Sequence, residues 1–119
     1  MPSLIHIDTR GEPETGAPAP DRIVSGKPRN RTWNAYETDD GRFFSGIWES
    51  DPGSWRIEYE EAEFCHILEG ESRIADENGH VTTVRAGDAF VIPAGFKGTW
   101  DVVTRTRKHY AIYLPGETA

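Results

Sequence analysis

Acid–base chemistry needs carboxylates, amines and phenols held on a common face, and this chain offers such groups in two places. Glu58, Glu60, Glu61 and Glu63 crowd the run before Cys65, and Lys108 and Tyr110 stand two residues apart near the C-terminus. Strand side chains alternate in direction. Glu63, Cys65 and Ile67 therefore share one face, and Phe64, His66 and Leu68 the other. Lys108, Tyr110 and Ile112 share a face in the same way, as do Gly98, Trp100 and Val102. A buried carboxylate beside a cation is held ionised, while an unpaired one is driven neutral. A buried lysine can lose its proton and become a nucleophile. The acidic run mixes both faces of a strand end, so part of it belongs to solvent.

Other reactive types read more plainly. Cys65 is the one cysteine, which excludes an internal disulfide and a cysteine-rich zinc site. It reads as a small buried core residue. His6, His80 and His109 have no motif around them, and His66 lies on the face opposite Glu63. Trp33, Trp48 and Trp55 read as packing, and Trp100 as a cavity wall.

The elements that carry these residues are short strands. Thr32–Glu37, Arg42–Glu49, Ser54–Glu60, Glu63–Leu68, Ser72–Asp76, Val81–Arg85, Ala89–Ile92, Thr99–Thr104 and His109–Leu114 are rich in β-branched and aromatic residues. Turn signals separate them, Asn78-Gly79 being the strongest. No window shows sustained helical periodicity. Evenly spaced short strands predict an all-β sandwich or barrel. Residues 1–30 differ: Pro13, Gly16, Pro18, Pro20, Gly26 and Pro28 forbid a continuous helix or central strand. They predict an extended N-terminal arm, with Leu4, Ile5 and Ile7 as a short edge strand and Ile23 and Val24 as buried anchors. A single domain is expected over 31–119.

Composition bounds the function. The chain has 119 residues, enough for one domain, and carries a net charge of −7. That charge argues against duplex nucleic acid and against an anionic membrane surface as partners. No apolar stretch is long enough to cross a membrane as a helix. The N-terminus lacks a basic segment followed by an apolar one, so a cytoplasmic protein is expected.

Two stretches carry a specific resemblance. Glu63, six residues, then Gly70 is similar to the end of the first motif of the cupin superfamily. Gly87, five residues, then Pro93-Ala94-Gly95 is similar to the start of the second. Gly98-Thr99-Trp100 and Lys108-His109-Tyr110 further resemble the ureidoglycine aminohydrolase cupin domain and the cupins of ethanolamine utilisation. The resemblance covers about residues 40–115. It implies an RmlC-like cupin jelly roll with Glu63 and Cys65 facing the cavity. It also implies pairing into a homodimer, for which the arm is suited.

Metal-binding cupins supply three histidines and the glutamate. Here the histidine positions correspond to Arg56, Glu58 and Gly98, and only Glu63 matches. A register slip would place Ile57 and Tyr59 there instead. No tightly bound transition metal is expected, although manganese or another divalent cation could use Glu58 and Glu63. An ion-pair network of Arg56, Glu58, Glu63, Lys108 and Tyr110 replaces the metal in this reading. Glu63, Lys108 and Tyr110 are the candidate catalytic groups, and Arg56, Glu58, Cys65 and Trp100 the ligand contacts. The expected function is binding, with or without conversion, of a small polar metabolite; by analogy it bears an amine, ureide or carboxylate. The alternatives are a manganese-dependent aminohydrolase and a non-catalytic assembly or regulatory module.

Overall fold

In the computed structural model, which describes residues 2–116, the turn glycines and the β-branched runs resolve into nine strands. These are β1 (Glu14–Gly16), β2 (Ile23–Gly26), β3 (Asn30–Glu37), β4 (Phe43–Ser50), β5 (Gly53–Glu58), β6 (Ala62–Asp76), β7 (Val81–Arg85), β8 (Ala89–Ile92) and β9 (Lys97–Tyr113). A single 3-10 turn, Pro20–Arg22, precedes β2, and the described residues contain no α-helix. Every pairing is antiparallel, in the order β1-β3-β4-β9-β5-β2, with β6 joining β9 to β7 and β8. The result is an all-β jelly roll. Met1 and residues 117–119, the end of the expected domain, lie outside the described residues.

Two long strands hold the two halves together. Ser54–Glu60 shortens to β5, and the four short strands expected around Glu69-Gly70 and Arg105 merge into β6 and β9. The first half of β9 pairs with β5 and the second half with β4, while β6 follows along its other edge. The reversal expected at Gly70 is instead an irregularity within one ladder, with register shifts between Ile67 and Ser72. Gly70 has φ +88°, open to glycine at little cost. Hydroxyls repair the broken pairing: the Glu71 N–H donates to Thr104 Oγ1 at 2.9 Å, and Thr106 Oγ1 donates to the Glu71 carbonyl at 3.2 Å.

The arm also departs from expectation. Leu4, Ile5 and Ile7 form no strand, and Leu4 is 92% exposed. The arm instead covers the sheet edges further along, β1 against β3 and β2 against β5. Ile23 is half-buried but Val24 is exposed, because consecutive strand residues face opposite ways.

Inside lie Trp55, Ile57, Cys65, Ile67, Ile74, Val84, Ile92, Trp100 and Val102. Buried with them are Glu63, Ser72, Thr106 and Lys108; no buried side-chain nitrogen or oxygen among the described residues is left unpaired. On the outer face Glu49 is clamped by Arg31 and by Arg107, the latter at 2.7 Å.

The glycines make a test of this architecture. A Cβ on Gly70 would collide with the Arg105 carbonyl oxygen, whereas one on Gly79 (φ +80°) meets open space. Gly79→Ala should cost about 1–2 kcal/mol of left-handed strain. Gly70→Ala adds a backbone clash and should cost at least about 3 kcal/mol in urea unfolding. Equal costs would contradict the reading of Gly70 as a packed bulge.

Candidate functional site

The face shared by Glu63, Cys65 and Ile67 continues across the β6–β9 ladder into the face of β9 that carries Lys108 and Tyr110. The register sets Cys65 opposite Tyr110 and Ile67 opposite Lys108. Lys108 Nζ reaches Glu63 Oε2 at 2.8 Å, and both side chains are 5% exposed. Nζ also donates to Cys65 Sγ at 3.6 Å. The ammonium lies between two indoles, 4.4 Å from the Trp100 ring and 4.7 Å from the Trp48 ring. Cation–π attraction is strongest where water is excluded, as here. The second carboxylate oxygen, Glu63 Oε1, accepts from the Tyr59 hydroxyl at 2.8 Å. Tyr110 donates its hydroxyl to Asn34 Oδ1 at 2.7 Å.

Burial alone would lower the Lys108 pKa. The adjoining Glu63 carboxylate and the Cys65 sulfur outweigh it and hold the ammonium pKa above its ordinary value. Burial pushes the Cys65 thiol up to about 12, even with Lys108 beside it. Burial and then the Glu63 charge raise Tyr110 to about 12 and Tyr59 further still. At neutral pH these groups are an ammonium, a thiol and two phenols. Lys108 can therefore donate a hydrogen bond or a proton, but it is not a free amine nucleophile.

These groups line a cavity of about 470 Å³. Trp48, Trp55, Trp100, Phe44 and Ile112 supply apolar wall, and Glu63, Lys108, Tyr59 and Tyr110 the polar groups. The structure thus brings together Glu63, Cys65, Trp100, Lys108 and Tyr110 of the sequence-derived set. Cys65 sits behind Lys108, fully buried and away from the cavity wall.

Arg56 and Glu58 do not join them. Their strand presents Trp55 and Ile57 inward, so Arg56 and Glu58 point outward at the cavity rim and are exposed. Arg56 Nη2 donates to the Asp21 carbonyl, and Glu58 pairs with Lys97 at 3.6 Å. The physical reason is the cost of burying a charge where an indole can be buried instead. The expected five-residue ion-pair network therefore contracts to Glu63 and Lys108, with Tyr59 as the partner that sequence reasoning missed. The apolar alternation Trp55, Ile57, Tyr59 is the signal that identifies it. Asn34 was missed too; nothing in its local sequence points to Tyr110, a contact made across the fold. Gly98 carries no side chain toward the cavity, and a Cβ there would collide with the Ala75 carbonyl oxygen.

Comparison with known proteins agrees with this fold. The family model described as the EutQ-like cupin domain matches residues 37–110, more than half of the chain. The chain belongs to that family and is a cupin. Its structure is similar to that of a protein of unknown function of the DUF861 family from Pseudomonas syringae pv. tomato. There the TM-score is 0.77 and the identity 26%, covering 92% of this chain and 44% of that one. The chain thus spans less than half of that relative's length. A DUF861 family protein from Thermotoga maritima is 34% identical over 54% of this chain and 73% of its own, with a TM-score of 0.53. A putative ethanolamine utilization protein Q from Salmonella typhimurium LT2 shares the fold at 22% identity and a TM-score of 0.65, covering 81% of this chain and 76% of its own. No curated protein matches the chain.

The buried pair is open to measurement. Removing one partner of such a pair strands the other charge and typically costs about 3–5 kcal/mol. Glu63→Gln and Lys108→Met should each destabilise by about that amount, and the double variant by much less than their sum. Additive losses in denaturant unfolding would contradict the pairing.

Proposed function

We propose that the protein binds a small polar metabolite in the cavity between Glu63, Lys108 and Tyr110, with Lys108 in the role that a metal ion plays in other cupins. The observation that carries this reading is the buried Glu63–Lys108 pair lining a cavity walled by Trp48, Trp55 and Trp100. A charged pair is an expensive way to fill a core. It is well suited to fixing the orientation of a polar ligand among aromatic walls. Lys108 would hold a ligand acceptor atom, and the Tyr110 oxygen would accept from a ligand donor. If conversion follows binding, Lys108 is the general acid, since its proton is retained at neutral pH.

A metal does not fit the donor set. Among the described residues no three His, Cys, Asp or Glu side chains converge. Glu63 spends one oxygen on Lys108 and the other on Tyr59. Glu58 faces outward and is 55% exposed, so it cannot share an ion with Glu63 without β5 turning over. The manganese-dependent aminohydrolase reading needs those two carboxylates on one cation and finds no support here. The likeness of Trp100 and Lys108-His109-Tyr110 to the ureidoglycine aminohydrolase domain supports a nitrogen-bearing or carboxylate-bearing metabolite as the class to screen.

Thermal unfolding in the presence of a metabolite panel tests the proposal. A ligand at a hundred times its Kd stabilises by about 2.7 kcal/mol, enough to raise Tm by several degrees. Some member of the panel should do so, and Tyr110→Phe should weaken the shift while leaving the unliganded Tm close to that of the parent. Manganese alone should leave Tm unchanged. No shift with any metabolite of the panel would overturn the reading, and a saturable shift with manganese in its place would favour a metal site.

A further inference from the structure

The mouth of the cavity is built partly by the N-terminal arm. Ala17, Pro18 and Arg22 line it beside Arg56. The turn Pro20–Arg22 packs on β5 and is latched there by the hydrogen bond from Arg56 to the Asp21 carbonyl. The next residue, Ile23, pairs with Trp55 of the cavity wall. Arg22 is thus carried to the entrance by ordered backbone.

The charges at this mouth are unequal in commitment. Among the described residues neither Arg22 nor Arg56 lies within ion-pairing distance of a carboxylate. The neighbouring Glu58 is drawn away toward Lys97. Deeper in, the one cation is already matched: Lys108 by Glu63. Beyond the mouth the wall is largely indole and phenyl, from Trp48, Trp55 and Phe44. An entering molecule therefore meets two guanidinium groups without a carboxylate partner first, Arg56 giving one N–H to the Asp21 carbonyl, and an aromatic slot second. Guanidinium groups match the planar carboxylate through paired N–H donors. Glu61 lines the same rim and disfavours a dianion.

We propose that the ligand is an organic monocarboxylate with an apolar or aromatic body. Its carboxylate is held at the mouth by Arg22 and Arg56, and its body lies against Trp48 and Trp55. This rests on the reading of the cavity as a binding site and adds the ligand's class and a role for the arm. Arg22 is a specificity-determining residue contributed from outside the family-matched segment, which begins at residue 37.

Calorimetric titration of the full chain with three matched probes tests it: phenylpropionate, its primary amide and phenylpropylamine. The carboxylate should bind about tenfold more tightly than the amide, the scale of one charge-assisted hydrogen bond, and the amine more weakly still. Arg22→Gln should remove most of that preference and leave amide binding unchanged. Arg22 is exposed, so this variant should fold as the parent does. Arg56→Gln should act in the same direction. Equal binding of amide and carboxylate, or a preference that survives both substitutions, would overturn the carboxylate assignment while leaving the cavity a binding site. Binding of none of the three at millimolar concentration would also overturn it, whereas the binding-site reading itself falls only if the metabolite panel shows no shift.

Discussion

The Glu63–Lys108 pair is the constraint around which the interior is organised. Two charges out of water cost several kcal/mol each unless every lone pair and proton finds a partner. Here the carboxylate has Lys108 and Tyr59, and the ammonium has Glu63, Cys65 and two indole faces. The groups that satisfy the pair come from β4, β6, β9 and the segment after β5. Their convergence requires one register between β6 and β9, since a slip of one residue would turn Lys108 outward.

That register is maintained from a distance. Gly70 lets β6 bulge past Arg105. Thr106, buried beside the bulge, shares a 2.7 Å hydrogen bond with Ser72. Ser72 in turn accepts the Trp100 indole N–H at 3.2 Å. Trp100 then presents its ring to the Lys108 ammonium. A chain of small hydroxyls thus runs from the backbone irregularity to the cavity. Its members are buried and mutually satisfied, the condition under which a polar network stiffens a core. The arm closes the structure at the other end, since the turn at Pro20–Arg22 and β2 seal the edge of β5 next to the cavity mouth.

Much of this was legible in the sequence. The spacing of Glu63 to Gly70 and of Gly87 to Pro93 carried the fold, because Gly70 and Gly87 take positive φ, which glycine adopts at little cost. Strand parity put Glu63 with Cys65 and Lys108 with Tyr110, and the ladder between β6 and β9 joins the two sets on one face. The family correspondence misplaces Arg56 and Glu58, because the apolar alternation of Trp55, Ile57 and Tyr59 turns both outward. The strands expected to end at Leu68 and Thr104 run on, because hydroxyl side chains bridge the irregular pairs, and such repair depends on a neighbouring strand. The contacts of Tyr110 with Asn34 and of Arg56 with Asp21 join residues far apart in the chain, and local pattern carries no trace of either. Leu4, Ile5 and Ile7 have the apolar character of a strand, yet the arm pairs further along, through β1 with β3 and β2 with β5.

The account stands on Lys108 being a protonated, enclosed cation at Glu63. Nitrogen-15 NMR of the lysine ammonium groups tests this directly. The chain has three lysines, Lys27, Lys97 and Lys108, and only Lys108 is buried between indoles. It should give one slowly exchanging ammonium signal at neutral pH, shifted by the ring currents of Trp48 and Trp100. That signal should persist when manganese is added and vanish in Lys108→Met. A neutral-amine shift for Lys108, or its loss by paramagnetic broadening at stoichiometric manganese, would contradict the account.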